Sequence, residues 1–60
     1  MKKIAEYRKK KSLTQRELAS LMGVTERSEQ RWESGERTPD IHTLRKLAKI
    51  FNCKIDDLIE

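Results

Sequence analysis

The sequence predicts an all-α fold, a bundle of five short helices that forms one domain over residues 1–60. Apolar residues recur at spacings of about three and four along the chain, which is typical of amphipathic helices. No segment alternates apolar and polar residues for long enough to form a strand. A chain of 60 residues buries only about 60% of its unfolded surface, so there is no room for a second domain with its own core.

The first helix is predicted over residues 2–11. The second begins after Thr14, because Thr14 and Glu17 fit a capping box in which hydroxyl and carboxylate each accept a hydrogen bond from a free amide. Gly23 is predicted to end this helix with a positive φ, which glycine adopts without steric cost. Between the two ends lies an apolar stripe of Leu18, Ala19, Leu21 and Met22.

Thr25 is the predicted N-cap of a third helix, which ends at Gly35. A polar loop follows, and Asp40 is the predicted cap of a fourth helix that ends at Asn52. The fourth helix has the most regular apolar spacing, at Ile41, Leu44, Leu47, Ala48 and Phe51. A last turn carrying Leu58 and Ile59 is predicted to be capped by Asp56.

The net charge of +4 is concentrated at the beginning of the chain. Residues 1–11 contain six Lys or Arg and one Glu, a balance of +5. A basic helix of this kind suits a polyanion such as nucleic acid. A solvated surface helix explains the same charge equally well, so charge alone does not decide between them.

Several classes of protein find no support in the sequence. Cys53 is the only cysteine, which excludes an intrachain disulfide, and neither Cys53 nor the single His42 has a partner for a metal site. Asp56 and Asp57 are interpreted as helix-capping acids rather than a catalytic pair. We therefore expect no enzyme activity, cofactor or metal. Without an apolar run of roughly 20 residues or a signal peptide, a cytoplasmic protein is expected.

The second and third helices are joined by a turn of about three residues around Gly23. Helices connected so tightly cross steeply, as in a helix-turn-helix unit that places its second helix in the DNA major groove. At about 100° per residue, one face of the third helix carries four long polar side chains: Glu26, Arg27, Gln30 and Arg31. Their groups can pair with base edges. Any surface helix can carry such residues, and the position directly after the turn favours DNA recognition.

Five stretches with characteristic order and spacing lie at residues 13–19, 22–25, 31–35, 38–40 and 43–48. With these stretches, residues 4–59 resemble the phage-repressor and Cro-type helix-turn-helix domains of the XRE family. The resemblance implies a lambda-repressor-like five-helix bundle that acts as a sequence-specific regulator of transcription. A repressor is the first expectation, with a recognition helix at about residues 25–34.

The resemblance also implies roles for individual residues. Positions that reach bases, with Gln30 at the groove edge, are Glu26, Arg27, Gln30 and Arg31. Positions that hold the DNA backbone are Gln15, Thr25, Ser34, Arg37 and Thr38. Gln15 is also expected to brace a recognition side chain. Arg8 and Glu33 match a structural salt bridge between the first and third helices.

Glu29 departs from the family pattern, which has Ile or Val at this position. The helical wheel also places Glu29 near Trp32, on the inner face. Burying an unpaired carboxylate costs several kcal/mol or forces it to take up a proton. Three interpretations follow: a rotated helix that exposes Glu29 to solvent, a cation partner such as Arg16, or a substituted variant with an abnormal core.

We expect the protein to bind double-stranded DNA and not to associate with a membrane. One recognition helix reads few base pairs, so we expect a homodimer at least on DNA, through apolar groups near Ile55 to Ile59. The chain could also be the N-terminal domain of a larger regulator. The alternative is a protein-interaction module or antitoxin that kept the fold. Glu26 and Glu29 favour that alternative, because carboxylates on or beside the recognition helix repel phosphates.

Overall fold

The computed structural model describes residues 1–59 and confirms the all-α prediction. Its five helices are α1 (Lys2–Lys10), α2 (Gln15–Met22), α3 (Glu26–Ser34), α4 (Ile41–Phe51) and α5 (Ile55–Leu58). Within this part of the chain there is no strand. The first helix ends one residue earlier than predicted, because the chain leaves the helix through Lys11 and a left-handed Ser12 at φ +56°.

Three of the predicted helix starts are confirmed by their hydrogen bonds. Thr14 Oγ1 accepts from the Glu17 amide at 3.0 Å, and Glu17 Oε1 accepts from the Thr14 amide at 2.8 Å, which completes the capping box. Thr25 Oγ1 accepts from the Ser28 amide at 3.1 Å, and an oxygen of Asp40 caps α4. These local contacts fix where α2, α3 and α4 begin.

The predicted cap of the last helix is wrong. Asp56 lies inside α5, whose N-cap position is Lys54, a residue type that rarely caps a helix. The Lys54 side chain makes no capping hydrogen bond, and the Asp57 carboxylate, inside the helix, accepts from the Lys54 amide at 3.0 Å. The helix therefore begins at Ile55, ahead of the predicted position.

The three middle helices end at Gly23, Gly35 and Asn52 as predicted, and all three residues are left-handed, a conformation predicted only for Gly23. Gly23 has φ +72°, Gly35 has φ +86° and Asn52 has φ +54°. At the end of α2, the Gly23 amide donates to Ser20 O at 3.1 Å, and the Val24 amide donates to Ala19 O at 3.0 Å. These bonds close the helix and turn the chain sharply into α3.

The core lies where α1, α2 and α4 meet α3 and α5. Its buried apolar side chains are Ile4, Leu18, Met22, Trp32, Leu44, Leu47, Ala48, Phe51 and Leu58. The ring of Tyr7 on α1 stacks on Phe51, with 5.8 Å between ring centroids. Because α3 packs mainly against α2 and α1, its remaining face is free of the bundle. None of the helices in residues 1–59 is long and apolar enough to cross a membrane.

Candidate nucleic-acid interface

The exposed face of α3 presents most of the side chains that were predicted to read bases. Arg27 and Gln30 are exposed, whereas Arg31 and Glu26 are half-exposed. Arg27, Gln30 and Arg31 border one shallow depression, together with Ser34 at the end of the helix. Glu26 does not border this depression and lies nearer to α2.

Two of these side chains already have ionic partners, which the sequence reasoning missed. Glu26 Oε1 lies 3.6 Å from Nε of Arg16 on α2, and Arg31 Nε lies 2.9 Å from Glu36 Oε2 in the loop after α3. The Arg16–Glu26 pair is largely open to solvent and contributes little to stability. In the Arg31–Glu36 pair the Glu36 side chain is exposed, but Nε of Arg31 is shielded from solvent.

A chain of polar contacts fixes the orientation of α3 against α1 and α2. Arg8 Nε donates to Glu33 Oε2 at 2.7 Å, and its Nη1 donates to Leu13 O at 2.8 Å. Gln15 Nε2 donates to Glu33 Oε1 at 3.3 Å, and Gln15 Oε1 accepts from Gln30 Nε2 at 3.2 Å. The Arg8–Glu33 pair implied by the family resemblance is thus present, and Gln15 joins it to a predicted base-reading residue.

The Arg8–Glu33 ion pair is mostly shielded from solvent, with 12% and 9% of the two side chains exposed. The hydrogen bond to Glu33 raises the pKa of Arg8. Burial favours the neutral form of Glu33, but hydrogen bonds with neighbouring side chains hold its pKa below the ordinary value. Both groups are therefore charged at neutral pH.

The residues predicted to hold the DNA backbone lie at the ends of α2 and α3 and in the loop that follows α3. Gln15 is the first residue of α2, and Thr25 precedes the first residue of α3. Ser34 ends α3, where its Oγ donates to Arg31 O at 3.2 Å and accepts from the Glu36 amide at 3.3 Å. Further along, Arg37 and Thr38 are exposed. Helix starts of this kind favour phosphate oxygens.

Glu29 is fully buried, and neither of its oxygens has a hydrogen-bond partner in residues 1–59. Two of the three interpretations are therefore wrong. The helix does not rotate to expose Glu29, because its inner face is fixed by Trp32 in the core. Arg16 does not serve as the cation, because it is 87% exposed and pairs with Glu26. The third interpretation, that Glu29 is a substitution that makes the core abnormal, stays a prediction.

The surroundings of Glu29 favour its neutral form. Burial raises the pKa of Glu29 to about 8, and the negative charge of Glu33 one turn further on acts in the same direction. The charge of Arg8 acts in the opposite direction but does not offset these two effects. At neutral pH, the carboxyl group on the inner face of α3 therefore holds a proton.

A model of the helix-turn-helix family matches residues 4–58 of this chain. An uncharacterized HTH-type transcriptional regulator of Archaeoglobus fulgidus is 38% identical over 93% of the chain and 80% of its own length. The HTH-type transcriptional activator BcrR of Enterococcus faecalis is 35% identical over 95% of the chain. The cryptic phage CTXphi transcriptional repressor RstR of Vibrio cholerae is 33% identical over the same share, 95%.

The chain covers unequal shares of these relatives. It spans 28% of the enterococcal activator and 51% of the phage repressor, so both have further segments that this chain does not match. No solved structure gives a significant match.

Proposed function

The chain belongs to the helix-turn-helix family, and on that premise we propose that it is a sequence-specific DNA-binding regulator of transcription. The observation that supports this best is the exposed face of α3. Three of its polar side chains, Arg27, Gln30 and Arg31, border one depression, and contacts among Arg8, Glu33 and Gln15 hold the helix in a fixed orientation. In this proposal α3 enters the major groove and the domain acts in the cytoplasm.

Each base-reading residue has a chemical role in the proposal. Arg27 and Arg31 donate to the O6 and N7 atoms of guanine, and Gln30 pairs with the N6 and N7 atoms of adenine at the groove edge. Glu26 accepts from the N4 atom of cytosine. Because these patterns differ between base pairs in the major groove, a helix carrying them distinguishes sequences.

A second set of residues fixes the register of the protein on the duplex. We assign this role to residues at helix ends and in the loop after α3: Gln15, Thr25, Ser34, Arg37 and Thr38. Their amides, hydroxyls and one guanidinium suit phosphate oxygens, which carry no sequence information. They therefore contribute affinity that is the same for every sequence.

We further propose that the protein acts as a repressor and binds DNA as a homodimer. Two copies on half-sites about 34–36 Å apart would read enough base pairs for useful specificity. The contact would use the apolar side chains near the end of the described chain, where Ile55 is half-buried and Ile59 is 53% exposed. Bound at a promoter, such a dimer blocks polymerase.

Two observations favour DNA binding over the protein-interaction alternative. Glu26 lies beside the guanidinium of Arg16, and Glu29 is buried and holds a proton. Neither carboxyl group therefore presents a bare negative charge to phosphates.

Titration of the protein with mixed-sequence duplex DNA at several salt concentrations tests the proposal. We expect the logarithm of the affinity to fall linearly as the logarithm of salt concentration rises, because bound phosphates release counterions. Absence of binding even at low salt would overturn the DNA-binding proposal and favour the protein-interaction module.

Two matched arginine substitutions separate base reading from backbone contact. Arg27→Ala is expected to lose about 1–3 kcal/mol of affinity for the preferred sequence and to relax the preference at one base pair. Arg37→Ala is expected to weaken binding to all sequences alike and to make the salt dependence shallower. Affinities are measured on sequences selected from a random duplex library. If both variants affect every sequence equally, the assignment of the two residues is wrong.

A further inference from the structure

A groove between α4 and α5 combines an apolar base with cationic edges. It is a shallow depression largely open to solvent, with a volume of about 760 Å³. Ala48 is buried, and Cys53 and Ile55 are half-buried, so they form its apolar lining. The exposed cations that line it are Arg45, Lys49 and Lys54.

Like Arg27 and Arg37, the three cations of the groove have no acidic partner in residues 1–59. Arg8, Arg16 and Arg31, in contrast, each pair with a glutamate. The charges of the groove cations are therefore free for a ligand.

The one acidic residue of the groove is already engaged. Asp57 lines the groove, but its Oδ2 accepts from the Lys54 amide at 3.0 Å and so caps α5. Three cations against one carboxylate leave the lining with a net charge of +2. The groove therefore favours an anion.

We propose that this groove binds a small amphipathic carboxylate, a molecule with one carboxylate on an apolar chain. The guanidinium of Arg45 offers the planar pair of donors that matches a carboxylate. Lys49 lies one helical turn further on, on the same face of α4, and adds a second positive charge. The apolar chain packs on Ala48, Cys53 and Ile55, where its burial provides the hydrophobic share of the affinity.

This binding does not depend on the proposed DNA-binding function. α4 and α5 pack against each other and against α1, and α4 also packs against α2. None of the groove residues belongs to the face of α3 or to the residues assigned to the DNA backbone, although Ile55 is also part of the proposed dimer contact. The two proposals can therefore fail separately.

The probe is decanoate, kept below its micelle concentration and titrated into the protein while amide chemical shifts are followed by NMR. The titration is run at about pH 6, where Glu29 holds its proton and the carboxylate of decanoate is ionised. We expect shifts confined to the second half of α4 and to α5. Decyltrimethylammonium, which carries an apolar chain of similar length with a positive head group, should bind far more weakly.

Arg45→Gln removes the guanidinium from an exposed position, so it should leave the fold intact. We expect it to weaken decanoate binding about tenfold or more, since it removes charge-assisted hydrogen bonds. Arg37→Gln, at another exposed arginine outside the groove, is the matched control and should bind decanoate as the parent does. Melting curves of both variants check that the fold is unchanged.

Two results would overturn the proposal. One is equal binding of the ammonium probe, which would show that only apolar contact matters. The other is unchanged decanoate affinity in Arg45→Gln. If that variant also lost DNA affinity, Arg45 would be a phosphate contact.

Discussion

Glu29→Val is expected to raise the melting temperature of the domain by roughly 10 °C. The carboxyl group of Glu29 is fully buried and has no hydrogen-bond partner in residues 1–59, and burying such a group costs about 1–3 kcal/mol in proteins. Valine has a similar volume and no polar atom to desolvate. In a domain of this size, about 1 kcal/mol corresponds to roughly 4–8 °C. Thermal unfolding followed by circular dichroism at neutral pH measures the difference.

Glu29→Gln is the control for this substitution, because it keeps the shape and the polarity but cannot ionise. We expect its melting temperature to lie between those of the parent and Glu29→Val at neutral pH. A Glu29→Val variant that melts at the same or a lower temperature would show that the carboxyl group is already well accommodated.

The stability of the parent domain is expected to fall as pH rises from about 4.5 towards 8. The pKa of Glu29 is raised from its ordinary value of 4.5 to about 8 in the folded protein. In this interval the unfolded chain has released the proton while the folded chain still holds it. The unfolded state thus binds fewer protons, so the free energy of unfolding decreases by up to about 1.4 kcal/mol per pH unit. The stability contributed by the protonated Glu29 side chain is fully present below its pKa in the unfolded chain. It is lost by the time pH exceeds its pKa in the folded protein.

Other carboxyl groups act in the opposite direction at low pH. Hydrogen bonds with the helix-capping partner Thr14 lower the pKa of Glu17, and those with Thr43 lower the pKa of Asp40. Their stabilising contributions are lost as pH falls through those lowered values. The domain should consequently be most stable under mildly acidic conditions.

Melting temperatures measured between about pH 5 and pH 9 test this dependence. The parent should lose stability up to about pH 8 and level off above it, whereas Glu29→Gln should show a much flatter profile. A parent profile that is flat or rises towards pH 8 would contradict the burial of an uncompensated carboxyl group. So would a Gln variant with the same slope as the parent.

The features that the sequence predicted correctly are mostly local. A cap such as Thr14 is readable because the hydroxyl and the amide it accepts from are three residues apart. The error at Asp56 arose because α5 begins after Lys54, a residue that favours no cap, and the acceptor comes from Asp57. Rules based on residue preference identify the residue types that commonly cap helices. They fail where a residue that rarely caps a helix, such as Lys54, occupies the N-cap position.

The contacts that the sequence could not predict cross a turn or join distant helices. Arg16 and Glu26 lie on different helices, and Arg31 meets Glu36 only because the chain reverses at the left-handed Gly35. Spacing rules predict contacts between residues three and four apart within one helix, and they do not predict contacts between helices or across a turn. The helical wheel did place Glu29 on the inner face, but it could not show which groups surround that carboxyl.

The hydrogen bonds that connect Arg8 to Gln30 through Glu33 and Gln15 also fix which group donates and which accepts. The Glu33 carboxylate can only accept, so the amide of Gln15 must turn its NH₂ group towards Glu33 and its carbonyl oxygen towards Gln30. Gln30 then donates one N–H to Gln15, which leaves its carbonyl oxygen and its other N–H free to bind a partner outside the domain. The charge of Glu33, which acts on Gln30 through Gln15, thereby determines which atoms of Gln30 are available to a partner. These atoms are the acceptor and the donor that pair with adenine.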